Sequence, residues 1–148
     1  MALAFVQSNS SAEDASDTSH TVTLTGVGAG NLIVLFVKFE GAATTVSVSD
    51  GTSTLTNGTM VDHGNGYLHG IWCYLLAANS GNRTYTLTLG AARPYKRLHV
   101  WEFSYSGTVV LDVQNTGSGA SAAPQSGTVT TTGTDEVALG FYGEYSGA

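Results

Sequence analysis

Apolar and polar side chains alternate with period two along almost the whole chain, and clusters of Gly, Asn, Asp and Ser separate the alternating runs. Every second residue of an extended strand faces the same side, so this pattern predicts half-buried β-strands and no helix. Leu3 to Gln7 reads as a short first strand, followed by a polar stretch from Ser8 to Ser19. In His20 to Thr25, Val22 and Leu24 point one way and Thr21, Thr23 and Thr25 the other. Leu32 to Phe39 is apolar on both faces, which predicts a central strand covered by a second sheet on one side and by a loop or neighbour on the other. Gly66 to Ala77 and Lys96 to Tyr105 have the same two-faced character, while in Arg83 to Leu89 one side is core and one is wet. In the strand from Lys96, Leu98, Val100 and Glu102 share one face, and His99, Trp101, Phe103 and Tyr105 share the other.

Weaker strands are expected at Thr45 to Ser49, Leu55 and Met60-Val61, with hairpins at Asp50-Gly51 and Asn57-Gly58, dipeptides that supply the positive φ of a tight turn. Val109 to Val113, Ser126 to Thr131 and Glu136 to Tyr145 complete the strands, around a mobile loop from Gly117 to Ser126. About ten short strands predict an all-β fold, a two-sheet antiparallel β-sandwich of jelly-roll or elaborated immunoglobulin-like order. The expected extent is one domain over residues 1–148, with the jelly roll favoured. No fixed-period repeat suggests a propeller or solenoid.

Composition narrows the partners. Charged residues are 11% of the chain, and Gly, Ser and Thr dominate its polar fraction, so the wet faces are hydroxyl faces. With Lys+Arg 5 against Asp+Glu 11 and a net charge of −6, the surface repels a phosphate backbone, and no nucleic-acid partner is expected. No apolar stretch approaches the about 20 residues needed to cross a bilayer as a helix, so no membrane partner is expected either. Cys73 is the only cysteine, which excludes an intrachain disulfide and reads as a small buried hydrophobe. The first residues, Met1 to Val6, carry no basic region and no long apolar core. The expectation is therefore either a removed signal peptide or a protein that reaches an outer surface by another route, such as a virus particle released by lysis.

The residues offer little for bond-breaking. No Gly-x-Ser-x-Gly elbow is present, and His20, His63, His69 and His99 are scattered. Only His63 and His69 come near a shared metal-binding face, and surface histidines are the plainer reading. Glu13, Asp14 and Asp17 lie in one polar loop and are the candidate ligands for calcium, against the plainer reading of a solvated acidic loop. Glu40, Glu102, Glu136 and Glu144 share no pattern that would pair two carboxylates across a cleft. Glu102 stands on an apolar face, so it is expected either buried with a partner, Arg97 or a hydroxyl, or at the point where that face reaches water. Exposed aromatics can serve as platforms for sugar rings, and the candidates are Tyr67, Tyr95, Trp72 and Trp101, the tyrosines at loop edges and the tryptophans within long strands.

Ala4-Phe5-Val6-Gln7-Ser8, Ala29-Gly30-Asn31-Leu32-Ile33-Val34, Thr44 to Asp50, Trp101 to Gly107 and Thr128 to Thr132 together resemble β-sandwich modules of bacterial secreted proteins and bacteriophage structural proteins. These are turn-and-strand signatures without catalytic content. The resemblance implies further strands after Tyr145 to Ala148, and hence an open edge for a neighbouring subunit to fill by strand addition. The expected function is a non-catalytic structural or adhesive module of a bacteriophage particle surface, such as a capsid decoration, tail or fibre component. It would act through packing with other protein subunits, as a homo-oligomer or in virion assembly. The alternative is a carbohydrate-binding or adhesion module of a secreted bacterial protein. Either places the chain at a virion surface or outside the cell.

Overall fold

Alternation of buried and exposed residues is clearest where the chain enters the middle of a sheet. The computed structural model describes residues 3–62, 66–119, 123, 125–133 and 136–144. Its strands are β1 (Leu3–Glu13), β2 (Asp17–Val27), β3 (Leu32–Glu40), β4 (Val46–Ser49), β5 (Thr56–Asn57), β6 (Val61–Asp62), β7 (Leu68–Leu75), β8 (Gly81–Arg93) and β9 (Lys96–Tyr105). A six-stranded sheet has the order β1-β9-β3-β7-β5, with β6 also pairing β7, and a three-stranded sheet has the order β2-β8-β4. Every pairing is antiparallel. Among the described residues there is no helix.

The chain is an all-β sandwich, and its strand order distinguishes between the two expected arrangements. β1 pairs with β9, β2 with β8 and β3 with β7, working inward from both ends. A long hairpin rolled up on itself gives this order, which is that of a jelly roll; in the immunoglobulin arrangement the first two strands lie side by side in one sheet. The inward faces meet in one core: Val22 and Leu24 of β2, Ile33, Leu35, Val37 and Phe39 of β3, Tyr85 and Leu87 of β8, and Leu98 and Val100 of β9 are all buried. Removing side chains of this size from water stabilises the fold by about 1.5–3 kcal/mol each.

Side-chain amides close both flanks of the sandwich. On one flank Gln7 Nε2 donates to Thr25 O at 3.0 Å, Asn9 Nδ2 to Thr23 O at 2.8 Å, and Ser11 Oγ lies 2.9 Å from His20 Nε2. Alternate residues of β1 thus engage β2 across the gap between the sheets. On the other flank Asn57 Nδ2 donates to Val46 O of β4 at 2.8 Å. This explains why β1 runs on to Glu13 rather than ending near Gln7 as expected: its polar half supplies the seam.

Two other expectations need correction. Asp50 does open a tight turn, with Ser49 bridged to Thr54, but Asn57-Gly58 closes no hairpin, because β5 and β6 both pair with β7. Gly58 answers a different need: a Cβ there would lie 2.2 Å from the Trp72 ring. The second correction concerns residues 106–144, where Val109 to Val113, Ser126 to Thr131 and the described part of Glu136 to Tyr145 form no strand; Tyr145 lies outside the described residues. The described residues of this segment cross the outer face of the six-stranded sheet, where rings offer contacts and no backbone ladder is available.

Candidate functional site

The outer face of the six-stranded sheet gathers rings from three neighbouring strands. Because β3, β7 and β9 are adjacent, their outward positions bring together Val34 and Phe36, Trp72 and Tyr74, and His99, Trp101, Phe103 and Tyr105. Trp72 stacks on Tyr74 with centroids 5.3 Å apart, and His99 on Trp101 at 5.8 Å. Gly70 leaves room for Phe36, whose ring comes within 3.1 Å of where a Cβ would stand.

The described residues between 106 and 144 form a covering layer over this face. Phe141 stacks parallel on Phe36 at 5.2 Å and is tilted against Trp101 at 5.3 Å. The Trp72 indole N–H donates to Gln114 Oε1 at 2.9 Å, and Gln114 Nε2 donates to Thr59 Oγ1 at 2.9 Å. Thr132 donates from its N–H at 2.8 Å and its hydroxyl at 2.5 Å to Asp112, and these bonds hold the Asp112 carboxyl below its ordinary range. Between this covering layer and the sheet is a cleft of about 1960 Å³. The layer does not finish the burial: Val110 is 71% exposed and Tyr142 60%, and Leu111, Val113, Val129, Val137 and Leu139 are also exposed. Monomeric proteins seldom leave so many large apolar side chains together in water, and such patches mark interaction surfaces.

The four aromatic candidates divide between two places. Trp72 and Trp101 are half-buried on the outer face, beneath the covering layer. Tyr67 and Tyr95 are exposed, at 41% and 45%, at one end of the sandwich. There Gly41 N donates to Tyr67 O at 2.7 Å and Glu40 N donates to Pro94 O at 3.2 Å, so the two tyrosine segments flank the end of β3. Two strand spacings put their backbones about 9.5 Å apart. Tyr95 has a φ of 52°, in the left-handed region that bulky residues rarely occupy.

The acidic loop has partners within the chain. Lys96, fully buried, reaches Asp17 at 2.8 Å and also donates to Ala15 O at 2.6 Å and Arg93 O at 2.8 Å. Arg97 pairs with Asp14 at 2.7 Å, and Glu13 Oε1 accepts from Ala15 N at 2.8 Å. The expected calcium ligands Glu13, Asp14 and Asp17 are thus spread among separate partners, and the cations that meet the two aspartates are Lys96 and Arg97. Among the described residues no three His, Cys, Asp or Glu side chains are grouped as metal ligands.

Glu102 is fully buried, and its partners are neither Arg97 nor a hydroxyl. It accepts from Gln7 Nε2 at 2.6 Å, Gly28 N at 2.7 Å and Asn31 Nδ2 at 2.6 Å. One carboxylate therefore ties β1, β9 and the turn between β2 and β3. Cys73 is fully buried as expected, but its thiol also donates to Asn57 Oδ1 at 3.1 Å. Burial pushes that thiol up to about 12, far from the reactive range.

The described histidines stay apart. His63 lies outside the described residues, so its pairing with Asp62 or His69 does too. His69 is buried in the core, stacked on Phe39 at 5.2 Å, with neither ring nitrogen bonded. The Ser11–His20 contact was not anticipated, because it joins the end of one strand to the start of the next across the seam. His20 is held below its ordinary value, chiefly by burial, and neither residue lines the cleft. The seam could have been suspected from Gln7, Asn9 and Ser11, three hydrogen-bonding side chains at period two in a strand.

No protein-family model, no curated protein and no solved structure matches this chain.

Proposed function

We propose that the chain is a non-catalytic structural module of a bacteriophage particle surface, packing against other protein subunits through the covered outer face of its six-stranded sheet. The observation that carries this reading is the layer formed by the described residues between 106 and 144. Its apolar side chains rest on the aromatic face yet remain largely exposed, so burial is left to be completed by another surface. Burying such side chains contributes about 25 cal/mol per Å² of apolar area, and association draws on this reserve. Packing through this face fits better than strand addition, because Gln7, Asn9 and Asn57 already occupy backbone carbonyls along the flanks. Cys73 lies in the core, Ser11 and His20 in the seam and Glu102 in a closed pocket, while Asp112 and Glu136 lie together in the cleft with no histidine or cysteine among its described lining residues.

Density-gradient banding of particles from the source organism tests the reading. The chain is expected to band with the particles, and a Val110→Ser/Leu139→Ser variant to remain at the top of the gradient. Wild-type chain that never bands with particles would refute it.

The stacked pairs Trp72–Tyr74 and His99–Trp101 favour a second reading, a carbohydrate-binding or adhesion module of a secreted protein. A glycan array separates the two. Sugar binding that is lost in Trp101→Ala would favour the second, and an empty array the first.

A further inference from the structure

The cleft under the covering layer has a one-sided electrostatic lining. Its charged residues are Asp112, Glu136 and Glu144, and among the described residues no Lys, Arg or His lines it. Its walls include the rings of Phe36, Trp72 and Tyr74. Aromatic faces attract cations through their quadrupoles, most strongly for Trp, and carboxylates beside them add to the attraction as water is excluded.

None of the chain's Lys and Arg side chains lines this cleft, so a second copy meeting it face to face sets no cation opposite the carboxylates. The chain's Lys+Arg total is 5. Lys38 pairs with Glu40 at 3.3 Å, Lys96 with Asp17 and Arg97 with Asp14. Arg83 is committed to Asn79 O and Ser80 O, and Arg93 to Ala42 O and Ala92 O. Two copies meeting through this face would bring six carboxylates together without countercharge, and like charges opposed in an interface cost affinity. An anionic partner would be repelled for the same reason.

We infer that the partner completing this face is a basic polypeptide segment of a different protein, with Lys or Arg side chains set over the aromatic walls and opposite Asp112, Glu136 and Glu144. The inference rests on the packing reading above and names its partner by charge. Arginine suits the place best, because its planar guanidinium can stack on a ring and hydrogen-bond a carboxylate at once.

The test is a titration of the full chain with octa-arginine at low salt, followed by tryptophan fluorescence, with octa-glutamate as the opposite charge. Octa-arginine is expected to bind, more weakly as salt is raised, and octa-glutamate not to bind. In Asp112→Asn/Glu136→Gln/Glu144→Gln the affinity should fall by about tenfold or more, whereas Glu13→Gln/Asp14→Asn, which removes charge from the distant loop, should change it by less than about twofold. Equal binding by the triple variant, or equal losses in both variants, would show attraction to net charge alone and overturn the inference. So would dimerisation of the pure chain that Val110→Ser abolishes. Banding with particles in the absence of octa-arginine binding removes this inference and leaves the packing reading in place, and the converse result does the opposite.

Discussion

Changing Glu102 to Gln alters one atom of the side chain that ties β1, β9 and the β2–β3 turn together. The carboxylate is fully buried and accepts three hydrogen bonds, two on Oε1 from Gly28 N and Asn31 Nδ2, and one on Oε2 from Gln7 Nε2. A glutamine can keep its oxygen toward Gly28 and Asn31, but its amide nitrogen then faces the amide nitrogen of Gln7, donor against donor. Gln7 cannot turn over without loss, because the same nitrogen donates to Thr25 O. Two bonds drop from charge-assisted to neutral strength, and a third becomes a buried unsatisfied donor, at about 1–3 kcal/mol for each such change. Relief from burying a charge offsets part of this, which leaves a destabilisation of about 3 kcal/mol. The assay is urea unfolding followed by tryptophan fluorescence, with exposed Glu144→Gln as control, expected within about 0.5 kcal/mol of wild type. An unchanged midpoint for Glu102→Gln would refute the reasoning. It would mean that the three-way tie contributes nothing a neutral amide cannot.

The other predictions concern the seams, the outer face and the ion pair. Gly58→Ala places a methyl group against the Trp72 ring, so the ring must move and release Gln114; a loss of about 2 kcal/mol and a red shift in tryptophan emission are expected. Cys73, fully buried and with its thiol at about 12, should react with a chromogenic thiol reagent only as fast as the protein unfolds, and rapid labelling of native protein would contradict its placement. The Lys96 ammonium holds the Asp17 carboxyl below its ordinary 3.8, so the pair's contribution is complete above that pH and is lost as pH falls through the lower, folded value. Urea midpoints measured from pH 7 down to about pH 3 should therefore fall in acid for wild type, and less steeply for Asp17→Asn. Asn9→Ala frees the Thr23 carbonyl from its seam and should cost about 1 kcal/mol, read from the same unfolding curves.

Period-two patterning located the sheets because burial enforces it. The strand from Lys96 to Tyr105 has the expected bounds, and its inward Leu98, Val100 and Glu102 are all buried. Leu32 to Phe39, apolar on both faces, is covered on both, by the smaller sheet within and by Val109 and Phe141 of the covering layer outside. The rule fails where polar side chains serve as connectors. Ser8 to Glu13 lacks the apolar half of the rhythm, yet it is a strand, because Asn9 and Ser11 meet bonding groups of β2 and Lys96 and Arg97 lie across from its end. It fails in the other direction after Tyr105, where Val109 to Val113 and Val137 to Phe141 carry a strand's alternation and form none. Alternation shows that a segment has one side to bury; it does not say whether that side finds a strand edge or a sheet face.

The candidate site follows the same division. Trp72, Trp101, Tyr67 and Tyr95 could be named from the chain as ring-bearing positions, but their grouping depends on which strands are neighbours, and that order is a long-range property of the rolled hairpin. β9 lies between β1 and β3, and β7 beyond β3, so rings from three distant stretches share one face while the two tyrosines share one end. The acidic loop carries the clearest lesson about charge. Asp14 and Asp17 look unpaired in sequence because their cations, Arg97 and Lys96, are about eighty residues away and arrive only through the pairing of β1 with β9. Asp112, Glu136 and Glu144 have no such cation in the cleft they line, although they belong to the same acidic chain. A loop whose aspartates meet their countercharge within the fold has its electrostatics closed, whereas a cleft whose carboxylates meet hydrogen-bond donors but no cation has them left open. That contrast is what directs attention away from the acidic loop and toward the outer face.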